Sequence, residues 1–164
     1  MPGVLALLPE YAGLTDPVAE LRSACLEAVA WLGEDVRILA DTQGERVARG
    51  LLLAAGVSTR SGPQGAFAAQ PAVATLVVGN GSARRTAKAP GFLDPRAASF
   101  DDGLRAALLS GDVTGLDLGL GRDLLASLDA IARLGEVVAP GADVTVDYDD
   151  DPYGVQYWVM RWEW

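Results

Sequence analysis

The sequence contains no histidine, and this absence excludes several kinds of active site. Histidine is the commonest ligand for transition metals and the commonest general base near neutral pH. A Ser-His-Asp triad, a Cys-His nucleophile pair and an iron site made of two histidines and a carboxylate are therefore excluded. The single cysteine, Cys25, cannot form an internal disulfide or a thiolate cage for zinc. Its position in a helical pattern predicts a buried thiol in a reducing compartment.

Long apolar runs and basic residues are also scarce. No apolar run approaches the roughly 18 residues that a membrane-spanning helix needs. No basic residue precedes the short apolar run at the N-terminus, as it would in a signal peptide. The formal net charge is −9, which opposes binding to nucleic acid and to anionic membranes. We therefore predict a cytoplasmic protein with neither a nucleic-acid partner nor a membrane partner.

Half of the 164 residues are hydrophobic, which is enough to bury one core without disulfides or metals. Short apolar runs alternate with segments of helical period. They predict strands at 3–8, 36–40 and 73–78, and helices at 17–32, 44–56, 95–109 and 124–132. This order is typical of α/β proteins, and we predict one three-layer domain over residues 1–164, with a mixed, mainly parallel sheet flanked by helices. Residues 58–70 are predicted to be a mobile surface loop.

The C-terminal part of the sequence predicts an antiparallel hairpin. Val144 and Val146 alternate with polar residues, residues 149–154 have the composition of a turn, and residues 155–162 alternate again. In the returning strand we expect one face to carry Gln156, Trp158, Met160 and Trp162 and the other to carry Val155, Tyr157, Val159 and Arg161. Trp158, Trp162 and Trp164 share a face, where they would cover the core or, if exposed, form the interface of a homodimer or another protein partner.

Acidic residues mark two predicted helix starts and one turn. Asp16-Pro17 and Asp94-Pro95 each place an N-cap residue before a proline at the first helical position. We expect Asp101 and Asp102, near the start of the second of these helices, to favour the helix dipole rather than to bind a metal. The acidic run at 147–151 lacks the ligand spacing of a calcium loop, so we expect a solvated turn, with weak magnesium or calcium binding as the alternative.

The predicted strand at 73–78 leads into a turn rich in glycine and arginine, residues 79–85, which is the main candidate for ligand binding. Glycines on both sides of Asn80 allow close backbone approach, and the side chains of Ser82, Arg84 and Arg85 could hold an anion. Asp41 follows the preceding strand, and the carboxyl ends of parallel strands meet at one edge of a sheet. Because the turn matches no Walker A or dinucleotide fingerprint, two interpretations stay open. It is a site for a small acidic ligand, or a tight turn with solvated arginines.

Residues 77–109 also carry the motifs of a known family. The matching residues are Gly79, Asn80, Ser82, Ala83 and Arg84, then Ala89-Pro90-Gly91-Phe92, Asp94-Pro95-Arg96 and Phe100-Asp101, and the tail at 149–159 matches as well. These residues resemble the catalytic-subunit family of class III extradiol ring-cleavage dioxygenases. The resemblance implies an α/β scaffold with a substrate cleft, and in that family histidines hold iron and move protons.

The departures from the family pattern fall on those histidines. The acid/base histidine of the family corresponds to Ala83, and its iron ligands fall at Gly3 and near residues 40–42. Carboxylates and carbonyls alone favour magnesium, calcium or manganese over iron. The resemblance therefore implies a non-catalytic member without a resident cofactor, which binds a small acidic ligand or a protein partner. The alternative is an enzyme of altered chemistry, a hydrolase or dioxygenase-like, that uses Asp41, Asn80 and Ser82 with a hard divalent metal.

Overall fold

The computed structural model describes residues 1–13, 16–59 and 74–164. In this part of the chain the α-helices are α1 (Ala19–Trp31), α2 (Thr42–Ala54), α3 (Ala97–Ser110) and α4 (Leu118–Asp123). The strands are β1 (Arg37–Leu39), β2 (Thr75–Val77), β3 (Asp143–Asp150) and β4 (Tyr157–Glu163). Short 3-10 helices cover Leu5–Leu7, Pro9–Tyr11, Ile131–Glu136 and Pro152–Gly154. Residues 60–70 of the predicted loop lie outside the described residues.

The predicted α/β class is confirmed, with a small parallel sheet and a C-terminal antiparallel hairpin. β1 and β2 pair in parallel, with Arg37 opposite Thr75 and Leu39 opposite Val77. The connection between them includes α2, as a parallel pair requires a long crossover. None of the described helices has the length and apolarity needed to cross a bilayer.

β4 separates two buried clusters of apolar side chains. Val155, Tyr157 and Val159 pack into the first cluster, which contains the buried faces of α1 and α2. Trp158 and Met160 pack into the second, with α3 and the 3-10 helix Ile131–Glu136. The predicted alternation of residues 155–162 between two faces is therefore confirmed. Each large apolar side chain that becomes buried in this way contributes about 1.5–3 kcal/mol to folding.

The prediction of a strand at 3–8 is wrong, because Leu5–Leu7 is a 3-10 helix. In place of a neighbouring strand, the guanidinium group of Arg22 donates to the backbone carbonyls of this segment. The acceptors are the carbonyl oxygens of Ala6 at 2.5 Å, Leu7 and Leu8. A short apolar run does not distinguish a buried strand from a buried turn of helix, and here a charged side chain on α1 decides between them.

The predicted helix at 124–132 is also absent. α4 ends at Asp123, and Leu125 adopts a φ of 58°, in the left-handed region that interrupts a helix. The backbone of Ser127 exchanges two hydrogen bonds with Asn80, at 3.1 and 3.2 Å. These bonds use the groups that a continuous helix would need, so tertiary pairing overrides the helical pattern of the leucines.

Both Asp-Pro pairs precede helices, but each helix begins three residues after the aspartate. α1 starts at Ala19 with Val18 as its N-cap, and α3 starts at Ala97 with Arg96 as its N-cap. The Asp16 carboxylate accepts a hydrogen bond from the N–H of Val18 at 3.1 Å, and Asp94 accepts one from Arg96 at 2.9 Å. The aspartates thus satisfy an N–H group just ahead of the helix rather than inside its first turn.

Candidate functional site

The turn at 79–85 is built around the carboxylate of Asp101. The backbone N–H of Ser82 donates to Oδ1 of Asp101 at 2.7 Å, and the Ser82 hydroxyl donates to Oδ2 at 2.6 Å. Both side chains are buried, with relative exposures of 0% for Ser82 and 1% for Asp101. An ionised carboxylate is costly to bury unless several donors satisfy it, and the turn supplies them.

Arg85 completes this cluster from the solvent side. Its Nη1 donates to Oδ2 of Asp101 at 3.2 Å, and its Nε donates to Oδ2 of Asp151 at 2.5 Å. Partial burial lowers the pKa of Arg85, but hydrogen bonds to Asp151 and Asp101 outweigh it and raise the pKa above its ordinary value. The backbone N–H of Arg85 also donates to the carbonyl of Gly154 at 3.1 Å, which ties the turn to the hairpin.

Arg84 points to a different acidic residue. Its side chain lies against Gly91, where a Cβ added to the glycine would be only 2.6 Å from Arg84 Cγ. Nη1 lies 3.6 Å from Oδ2 of Asp94, and Nε is buried without a hydrogen bond to the described residues. Hydrogen bonds from Arg96 lower the pKa of Asp94 to about 2, so this carboxylate is ionised across the physiological range.

The arrangement brings together three of the residues that the sequence nominated, Ser82, Arg84 and Arg85, and supplies each with an acidic partner from the chain itself. The missing residue in the sequence-based prediction is Asp101, which we expected to serve the helix dipole. The signal was present in the spacing. Asp101 lies three and seven residues before Leu104 and Leu108, so it shares the buried face of α3 with them.

Asp41 and Asn80 meet at the carboxyl ends of β1 and β2 through Ser127. Asp41 caps α2 by accepting from the N–H of Gly44 at 2.6 Å, and its other oxygen accepts from the Ser127 hydroxyl at 3.4 Å. The backbone of the same Ser127 pairs with Asn80. This edge is open to solvent at Asp41, whereas Ser82 is buried beside Asp101. The structure thus places Ser82 in a polar cluster separate from the other two.

The acidic run at 147–151 is paired with arginines rather than left solvated. Asp147 accepts from Arg161 at 2.7 Å, and Asp149 accepts from Arg105 at 2.5 Å. Asp151 accepts from Arg85, as described above. Among the described residues, no group of three or more His, Cys, Asp or Glu side chains is arranged to hold a metal ion. The residues of this run act as anchors between β3, α3 and the turn at 79–85.

An open apolar groove of about 380 Å³ lies between β2 and β4. Its walls come from α1, β2, the segment after the 3-10 helix Ile131–Glu136, and the end of β4. The side chains used below are Ala28, Trp31, Leu32, Val77, Leu134, Val138, Trp162, Glu163 and Trp164. The volume falls within the range of about 300–1,000 Å³ that is usual for ligand pockets.

The three C-terminal tryptophans differ in exposure. Trp158 is 5% exposed and belongs to the second core cluster. Trp162 is half-buried and donates from Nε1 to the carbonyl of Leu108 at 3.3 Å, while Trp164 is 67% exposed. Trp162 and Trp164 line the groove. The predicted interface set therefore divides into one core residue and two groove residues.

Trp31 is a groove residue that the sequence-based prediction missed. It lies at the end of α1, is 39% exposed, and carries the Arg161 guanidinium over its ring at 5.2 Å. Asp147 pairs with the same guanidinium and raises the pKa of Arg161 above its ordinary value. The cation on this wall is therefore already neutralised, and the indole remains available as an apolar contact.

Comparison of the chain with protein-family models, with curated proteins and with solved structures found no match. No relative therefore supplies a substrate, a partner or a catalytic residue for this chain. The two features from which function can be argued are the internally paired turn at 79–85 and the apolar groove between β2 and β4.

Proposed function

We propose that this protein is a non-catalytic binding protein whose partner occupies the apolar groove between β2 and β4. The observation that carries the proposal is the groove itself, a concave apolar surface of about 380 Å³ that leaves tryptophans accessible to solvent. Contiguous exposed apolar surface in a monomer is uncommon outside binding sites. Tryptophan is also enriched among the residues that dominate binding energy at protein interfaces.

The pairing of the turn at 79–85 supports the groove over the turn as the binding surface. An acidic ligand at Ser82 and Arg85 would have to displace the buried carboxylate of Asp101, which would then lose its donors. Arg84 has one acidic neighbour at 3.6 Å and is the arginine of the turn with the weaker ion pair. A small acidic ligand at Arg84 is therefore the second form of the proposal.

The neutral, planar dye Nile red is the first reagent for testing the groove, because it carries no charge that Arg84 could attract. We expect wild-type protein to bind it at one site, with a blue-shifted emission. The Trp31→Ala and Trp164→Ala variants should each weaken binding at least about fivefold, since each removes an indole from the groove wall. Both residues are partly or largely exposed, so folding should survive the substitutions.

Tyr11→Ala is the matched control, because Tyr11 is an aromatic residue that is 52% exposed and does not line the groove. Its binding of Nile red should equal that of the wild type. Dye binding that is unchanged in both tryptophan variants would refute the groove proposal. Binding of benzoate that is lost in Arg84→Ala and kept in both tryptophan variants would instead favour the acidic-ligand form.

The relation to extradiol dioxygenases remains a proposal that is supported by sequence motifs alone. In that view the protein is a histidine-less relative that has kept the scaffold and lost the metal chemistry. The alternative, an enzyme that uses Asp41 with a hard divalent cation, has weaker support, because Ser82 lies apart from the Asp41 edge. A cytoplasmic location is part of the same proposal and is supported by the single, buried Cys25.

A further inference from the structure

We infer that the groove receives an extended apolar segment of another polypeptide, with basic residues ahead of it, and that this segment pairs through its backbone with β2 and β4. The inference rests on the proposed function and names the chemistry of the partner. It belongs to the mode of recognition in which a peptide adds a strand to a sheet.

The first argument is the position of the groove between two strands that belong to different sheets. Within the described residues, β2 pairs with β1 and β4 pairs with β3, and no strand lies between β2 and β4. Both line the same groove, β2 over Thr75–Val77 and β4 over its second half. A strand placed there would join the two sheets into one.

The second argument is that Met1 already occupies one residue of such a strand. Its amino group donates to the carbonyl of Val77 at 2.9 Å, and the N–H of Gly79 donates to the carbonyl of Met1 at 2.9 Å. Bonds from one residue to two positions that flank Val78 are the pattern of a parallel ladder. Met1 lines the groove as well, so its place marks both the line and the direction of the incoming strand.

The direction relative to β4 follows from the contact where the two strands meet. The chain leaves β2 toward Gly81, whose N–H donates to the carbonyl of Gln156 at 3.0 Å, and β4 starts from that residue. β2 therefore ends, and β4 begins, at the same end of the groove. A segment parallel to β2 is antiparallel to β4, as in a mixed sheet.

The side chains on the two walls decide the composition of the segment. One wall presents Ala28 and Leu32 of α1, and the other presents Leu134 and Val138. Successive side chains of a strand point to opposite faces, so both sets would meet apolar surface. A continuous apolar run fits this environment, as it does in strands that are covered on both faces.

The charges at the far end of the groove favour a basic flank. Glu163 lines the groove and lies opposite Asp143 in the hairpin register, and neither makes an ion pair with the described residues. Like charges directly opposite each other on two strands repel. This pair lies at the end of the groove away from Met1, where a segment parallel to β2 would enter. Basic residues should therefore precede the apolar run.

The test uses the full chain and the peptide acetyl-Lys-Lys-Val-Ala-Val-Ala-Val-amide, with its affinity measured by calorimetry. An analogue methylated on the backbone nitrogens of its three valines keeps every side chain but loses the N–H groups on one edge. We expect the analogue to bind at least tenfold more weakly. The isomer acetyl-Val-Ala-Val-Ala-Val-Lys-Lys-amide should bind at least threefold more weakly, because its charges leave the Glu163 end.

The competing outcomes separate this inference from the proposed function. Equal affinity of the parent and methylated peptides, within twofold, would overturn the inference. So would Nile red that binds in a tryptophan-dependent manner and is not displaced by the parent peptide, although the groove would then remain a binding site. A concentration-dependent dimer that excludes Nile red would also overturn it, because the occupant would be a second copy. Failure of wild-type protein to bind Nile red at all would count against the proposed function itself.

Discussion

Ser82 and Asp101 bind each other through two hydrogen bonds in which a single residue satisfies both oxygens of a buried carboxylate. The N–H and the hydroxyl of Ser82 donate at 2.7 and 2.6 Å. Because Asp101 is on α3 and Ser82 follows β2, this pair fixes the position of the helix relative to the parallel sheet. Arg85 and Asp151 extend the connection to the hairpin. A turn that the sequence suggested as a ligand site is thus also a structural joint.

Substitution of Asp101 tests this joint. Asp101→Ala leaves the Ser82 donors and Arg85 without their acceptor in a buried setting, so the free energy of unfolding should fall by about 3–5 kcal/mol. Asp102→Ala is the control, since its side chain is the adjacent, exposed carboxylate of the same helix. It should leave stability nearly unchanged in urea denaturation followed by circular dichroism. Similar losses in the two variants would contradict the structural role of Asp101.

Two glycines offer an opposed pair of substitutions. A Cβ at Gly81 would lie 2.7 Å from Oδ1 of Asp101 and 2.9 Å from Cη2 of Trp158, so Gly81→Ala should cost about 1–3 kcal/mol through overpacking. A Cβ at Gly103, inside α3, meets nothing within 4 Å. Gly103→Ala should therefore raise stability, by up to about 1 kcal/mol. Thermal unfolding midpoints that move in the same direction for both variants would rule out this packing around the turn.

The Cys25 thiol should be inert in the folded protein. It is fully buried in the first core cluster, and burial raises its pKa to about 12. Since the thiolate is the reactive form, we expect the reaction with the disulfide reagent DTNB to be at least about 100-fold slower in buffer than in guanidinium chloride. Rapid labelling in buffer would mean that α1 opens locally under native conditions.

The Asp94 carboxylate should make part of the stability depend on pH. Hydrogen bonds from Arg96 lower its pKa from the ordinary value of 3.8 to about 2. A lowered pKa in the folded state means that the stabilisation is complete above about pH 4 and is lost as the pH falls toward 2. The difference in free energy of unfolding between wild type and Asp94→Asn should therefore shrink from pH 5 to pH 2. A difference that stays constant over this range would contradict the assignment of the shift to Asp94.

The sequence predicted the elements whose pattern reports directly on local packing. The alternation of residues 155–162 placed Trp158 and Val159 on opposite faces, and β4 buries them in different clusters. The helical spacing of Leu21 and Cys25 likewise identified the buried face of α1. In these segments each apolar residue has the same partner surface throughout, so periodicity is sufficient information.

The failures come from single long-range contacts that periodicity does not contain. Arg22 caps the carbonyls of residues 6–8 and prevents a strand there. Asn80 pairs with the backbone of Ser127 and interrupts the helical pattern that follows α4. The candidate site was incomplete for the same reason, because a charged residue on a buried helix face, Asp101, needs a partner that is remote in sequence. The groove residue Trp31 depends on where α1 lies beside β2, which only the fold reveals.

Amide hydrogen exchange, with and without the parent peptide, tests the central claim about the groove most directly. We predict that the peptide slows exchange in β2 and β4, at Thr75–Val77 and along the second half of Tyr157–Glu163, because those amides line the groove or pair with the incoming strand. Amides of the turn at 79–85 that already bond within the protein should not change. Protection confined to that turn, with none in β2 or β4, would contradict the account.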